Sequence, residues 1–149
     1  MDKRKGFTLI ELIITLGVLA VVTGTIFFVV SGRNSTYREI FAAADQLMSG
    51  IRYTRQRAIM DDEVVEIVFH GATGKYTIRY RTGFNVIREG YLPGGVWFLH
   101  NNNRVYHFRP RGTPSGGFSI HLRSAHYGLT LSVVGSGGRV RISDFREVG

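Results

Sequence analysis

Glu11 is the one charged residue in an apolar run of 24 residues, Phe7–Val30. A carboxylate at the centre of a membrane-spanning helix costs on the order of 2.5–3.5 kcal/mol on insertion scales. Near the helix start it costs less, because the positive N-terminal end favours it. A buried ammonium and a buried carboxylate are each expensive alone and tolerable as a pair. The other residues with chemistry to offer are cations. The 149-residue chain carries 19 Lys and Arg against 11 Asp and Glu, a net charge of +8. Its second half holds Arg104, Arg109, Arg111, Arg123, Arg139, Arg141 and Arg146, with Asp144 and Glu147 as the acids among the last residues. A stripe of guanidinium groups can bind phosphates without sequence preference and with strong salt dependence. The same stripe also suits plain solvation, anionic headgroups or an acidic partner.

Other chemistry is missing. There are no cysteines, which excludes disulfides and thiolate metal sites. The histidines His70, His100, His107, His121 and His126 lack metal-ligand spacing. Gly135-Ser-Gly-Gly138 lacks the Gly-Lys-Ser/Thr of a phosphate loop and reads as a hairpin turn. No nucleophile elbow is present. The sequence therefore predicts no enzyme, no cofactor and no metal.

The elements that must position these residues follow from periodicity. Phe7–Val30 as a helix reaches about 36 Å at ~1.5 Å per residue, more than the roughly 30 Å hydrocarbon core. It is also longer than the apolar region of a cleaved secretory signal, roughly 7–15 residues. Lys3, Arg4 and Lys5 precede it, so the N-terminus is expected in the cytoplasm and the rest of the chain outside. Gly32-Arg33-Asn34-Ser35-Thr36 is a polar break. Beyond it Ile40, Ala44, Leu47, Met48, Ile51, Ala58 and Ile59 recur at helical spacing, with Arg38, Asp45, Arg52 and Gln56 on the other side. That helix is expected to end near Met60, before Asp61-Asp62-Glu63, although acids suit a helix C-terminus poorly. From Val64 the pattern alternates. Strands are expected around Val65–Phe69, Tyr76–Tyr80, Phe84–Arg88, Val96–Leu99, Val105–Phe108, Phe118–Leu122, Leu129–Val133 and Arg139–Ser143. The predicted fold is α+β: a long N-terminal helix, membrane-spanning in its first half and amphipathic in its second, packed on a small antiparallel β domain of two sheets.

Lys5-Gly6-Phe7-Thr8-Leu9-Ile10-Glu11-Leu12 resembles the processing signal of type IV prepilins and type II secretion pseudopilins. The resemblance implies a leader peptide over residues 1–6, a transmembrane and filament-core helix over 7–30, its amphipathic continuation over 31–62 and a β domain over 63–149. It implies that a prepilin peptidase cuts between Gly6 and Phe7 and N-methylates Phe7. Cutting creates an amine on Phe7, and Glu11 lies four residues on, along the same helix face. In the family this acid is thought to meet the N-terminal amine of a neighbouring subunit, so Glu11 is the expected assembly residue. Arg55-Gln-Arg-Ala-Ile59, Phe108-Arg-Pro-Arg-Gly112 and Gly138-Arg-Val-Arg-Ile142 resemble the minor subunits grouped as GspH/FimT-like. The implied partners are the prepilin peptidase, other pilin or pseudopilin subunits, an inner-membrane assembly platform and membrane lipid. The implied location is the bacterial cytoplasmic membrane, then a pilus or pseudopilus. Certain FimT-like pilins are implicated in binding DNA for uptake. Double-stranded DNA is therefore the alternative partner, with the seven arginines as its expected contacts.

Overall fold

The structure, a computed structural model, describes residues 9–71 and 73–148, and only the backbone of residues 25–34. Gly6 and Phe7, with the expected leader over residues 1–6, lie outside the described residues. One helix and eight strands follow in order: α1 Leu9–Met60, β1 Val65–His70, β2 Lys75–Tyr80, β3 Val86–Tyr91, β4 Trp97–Phe98, β5 Arg104–Phe108, β6 Phe118–Arg123, β7 Tyr127–Val133 and β8 Val140–Glu147. The chain divides into two compact units, residues 1–35 and 36–149.

In the first unit Glu11 is exposed in the first turn of α1. The described side chains of residues 9–24 are all exposed, among them Leu9, Ile10, Leu12, Ile13, Ile14 and Leu16. The Thr15 hydroxyl donates to the Leu12 carbonyl at 2.9 Å, and the Thr23 hydroxyl to that of Leu19 at 2.7 Å. These polar groups are thus satisfied within the helix and need no water. Among the described residues no helix is long and apolar enough to cross a membrane.

In the second unit the helix from Thr36 to Met60 is amphipathic as expected. Ile40, Ala43, Ala44, Leu47, Ile51 and Ala58 are fully buried. Ile59 departs from the expected core: it is 48% exposed. The inward row drifts around the helix, and Thr54 takes a buried place by donating its hydroxyl to the Gly50 carbonyl at 2.8 Å. Asp61, the first acid after the helix, is reconciled locally. Arg57 pairs with Asp61 at 3.0 Å. The Tyr80 hydroxyl donates to Asp61 at 2.8 Å and accepts from Arg57 at 2.7 Å. Asp62 adopts the left-handed conformation, φ 53°, that ends many helices.

Both sheets are antiparallel and four-stranded, ordered β3-β2-β1-β5 and β4-β6-β7-β8. β1 and β2 form a hairpin, with His70 opposite Lys75 and Gly74 at φ 64°. The third strand begins at Val86 rather than Phe84, because Phe84 has φ 55°, which no strand residue adopts. Between the sheets, Phe69 meets Phe98 edge-on at 5.5 Å and Tyr106 stacks on Phe118 at 3.8 Å. Together with the inner row Ile120, Leu122, Leu129, Leu131 and Val133 they form one core with the helix. Trp97, 43% exposed, stands outside it.

Candidate nucleic-acid interface

Arg139 and Arg141 flank the first residue of β8, Val140, which is buried opposite Val133. Alternation along a strand then turns both arginines outward, and both are exposed. Arg52 and Arg55 lie three apart on α1 and so share a helix face. The β7–β8 turn brings the two pairs together. The four arginines, with Val134, Ser136, Gly137, Gly138 and Val140, line an open cleft of about 680 Å³.

Two glycines permit this approach. A Cβ on Gly138, at φ 62°, would stand 3.1 Å from the Gly112 carbonyl oxygen and the Phe108 ring and 3.3 Å from the Arg55 side chain, tighter than ordinary contact. Gly112, at φ 73°, would meet Ile59 and Arg55 in the same way. Arg55 Nε donates to the Gly112 carbonyl at 3.1 Å, which fastens the helix to the β5–β6 loop. Among the described residues no ion pair engages Arg52, Arg55, Arg139 or Arg141. Guanidinium groups gathered without carboxylates favour an anion, and their planar forks suit phosphate oxygens.

The seven arginines expected from sequence divide. Arg139 and Arg141 line the cleft. Arg109 and Arg111 sit exposed in the turn that Gly112 closes by donating its N–H to the Arg109 carbonyl at 2.7 Å. They adjoin the cleft through Gly112 without lining it. Arg123 and Arg146 lie opposite one another across Gly128 on the other face of β6, β7 and β8 from the core. Arg104 starts β5 in the other sheet, opposite Phe69. Sequence reasoning did not place Arg52 and Arg55 at this site. Arg52 was read on the polar helix side and Arg55 in a family-like motif, but nothing in a linear pattern links them to residues more than eighty positions on.

The histidines are dispersed. Burial lowers the His100 pKa below the usual imidazole value, against its hydrogen bond with the Asn102 carbonyl at 2.8 Å. Burial, then the charge of Arg81, lowers that of His107, against the attraction of Glu66. Among the described residues no group of three or more His, Cys, Asp or Glu is arranged to hold a metal ion.

Comparison with known proteins gives a consistent set. Residues 1–27 match the prokaryotic N-terminal methylation motif. The competence protein ComGD of Bacillus subtilis (strain 168) is 28% identical over 145 residues, covering 95% of each chain. The type IV minor pilin FimU of Pseudomonas aeruginosa shares the fold with a TM-score of 0.58 at 16% identity, over 76% of this chain and 92% of that one. The minor pseudopilin EpsH from the type 2 secretion system of Vibrio cholerae shares it with a TM-score of 0.57 at 12% identity, over 70% and 95%. Residues 43–138, which carry most of the amphipathic helix, every strand but β8 and the cleft turn, match the type II transport protein GspH, and the chain belongs to that family.

Proposed function

We propose that this chain is a minor pilin or pseudopilin subunit, with an initiating, tip or adaptor role in a pilus or secretion pseudopilus. The observation that carries this reading is the methylation motif over residues 1–27 joined to a GspH domain over 43–138. The exposed apolar side chains of residues 9–24 support it, since a helix apolar on every side needs lipid or other helices around it. In this reading the chain enters the cytoplasmic membrane as a single-pass protein with residues 31–149 outside. The prepilin peptidase cuts between Gly6 and Phe7, and Glu11 receives the amine of a neighbouring subunit during assembly.

The test is expression in the native host with intact-mass and sheared-filament analysis. The mature chain should begin at N-methylated Phe7, and Gly6→Val should leave the leader attached. Glu11→Val should be processed normally yet be depleted from sheared filaments. Normal incorporation of Glu11→Val would remove its assembly role, and an unprocessed wild-type chain would overturn the reading.

A second reading, a DNA-binding minor pilin of a competence machine, is favoured by the four-arginine cleft together with the similarity to a competence protein. Here Arg52, Arg55, Arg139 and Arg141 hold backbone phosphates of double-stranded DNA. Because such contacts go to phosphate, binding should be indifferent to base sequence.

A further inference from the structure

Four aromatic rings from three elements form one cluster in the second unit. Tyr37 and Phe41 are one helical turn apart on α1, with ring centroids at 4.7 Å. Tyr127 of β7 and Phe145 of β8 meet Tyr37 edge-on at 5.8 and 5.7 Å. Phe145 lies 5.1 Å from Phe41 and stacks on Tyr127 at 5.5 Å. The cluster is not a closed core: Tyr37 remains 44% and Phe145 38% exposed. Arg38, next in sequence to Tyr37 on the helix, is exposed. Half-covered tyrosine and phenylalanine beside arginine is the composition of a membrane-interface belt, where amphipathic rings sit at headgroup level and guanidinium groups meet lipid phosphate.

Chain length indicates the occupant. Tyr37 follows Val30, the end of the expected membrane segment, by seven residues. Even fully extended, seven residues span at most about 25 Å. The headgroup layer extends about 5–8 Å beyond the hydrocarbon on each side. A bilayer surface is therefore held within reach of these rings for as long as the segment is anchored.

We propose that the ring cluster of Tyr37, Phe41, Tyr127 and Phe145 docks residues 36–149 onto an anionic bilayer surface while the subunit awaits assembly. The inference rests on the membrane-anchor reading given above. Docking of this kind places apolar side chains roughly 5–10 Å into the headgroup and acyl boundary. It also fixes the tethered domain before assembly, and joining a filament then requires the rings to leave the lipid.

The experiment uses the full chain in phosphatidylethanolamine–phosphatidylglycerol vesicles whose acyl chains are brominated close to the headgroup. Trp97→Phe removes the single native tryptophan, and Tyr37→Trp or, separately, Tyr127→Trp then reports the cluster. Phe84→Trp, in the same background, reports an exposed site outside it. The expected result is flotation of every variant with the vesicles. Emission from positions 37 and 127 should be quenched at least twofold by brominated lipid, less so without phosphatidylglycerol, and that from position 84 should be unquenched. Flotation with equal emission in brominated and plain vesicles overturns the docking while leaving the anchor in place. Shielded emission that ignores bromine but falls away as protein is diluted in lipid assigns the rings to a neighbouring subunit and equally overturns it. Failure to float overturns the anchor reading and the docking with it.

Discussion

Tyr76 is almost fully buried, and its ring lies where the Cβ of a residue replacing Gly90 would stand. Its hydroxyl accepts a hydrogen bond from Gln46 at 3.3 Å. Gly90→Ala must therefore displace a packed ring tied to the helix. The expected cost is about 1–3 kcal/mol, read as a lower urea midpoint with an unchanged slope. Two histidines give a pH signature. His100 and His107 have folded pKa values below the usual 6.5, chiefly through burial. Between those values and 6.5 the unfolded chain binds more protons, so stability falls as pH drops through that window. Urea midpoints should decline from pH 7 to pH 5, and the double variant His100→Gln, His107→Gln should flatten the decline. An equally steep profile in the double variant would assign the loss to other groups. None of these environments was legible in sequence, because burial of His107 depends on which residues β1 and the following loops set beside it.

At the scale of elements, the amphipathic half of α1 carries the fold. Leu47 is fully buried in the core shared with both sheets. Leu47→Ala should cost about 2–5 kcal/mol, the range for large-to-small core changes, measured by denaturant unfolding. The helical pattern, the switch to alternation after Met60 and the hairpin turns were all readable from periodicity. The exposure of Ile59 was not, since the helix rotates the inward row away by its last turn. The helix end was placed correctly for an incomplete reason: Asp61 pairs with Arg57 within the helix and accepts a hydrogen bond from Tyr80 of β2. Local preference alone counted the acids there as unfavourable.

At the scale of the whole molecule, the arginines matter by convergence. If the cleft holds DNA phosphates, log affinity should fall with log salt with a slope of about 0.9 per phosphate contact. Arg139→Ala with Arg141→Ala should weaken binding and flatten that slope. Arg52→Ala with Arg55→Ala should do the same, whereas Arg104→Ala, outside the cleft, should change little. Fluorescence titration of the full chain in detergent with labelled double-stranded DNA across a salt series reads each effect. Absence of binding at low salt would leave the filament-subunit reading alone. Equal losses from Arg104→Ala and the cleft variants would point to diffuse charge instead.

The division of information has a physical basis. The prepilin-like signal, the apolar run with its one acid, the amphipathic helix and the alternating strands are local patterns. They rest on spacings of one to four residues, which the backbone geometry of helix and strand converts directly into faces. The sequence by itself determined the fold class in this way, and the resemblance of its motifs to known subunits pointed to the family. The tertiary structure alone decided which arginines act together and where four aromatic rings meet. Arg55 and Arg139 are 84 positions apart, and they share a cleft where Gly138, in the left-handed conformation, lies so close to the Gly112 carbonyl and the Arg55 side chain that a Cβ would crowd both. Tyr37 and Phe145 meet because β8 pairs with β7 over the start of the amphipathic helix. Such meetings depend on the register of the strands and the packing of the core, which no spacing along the chain records.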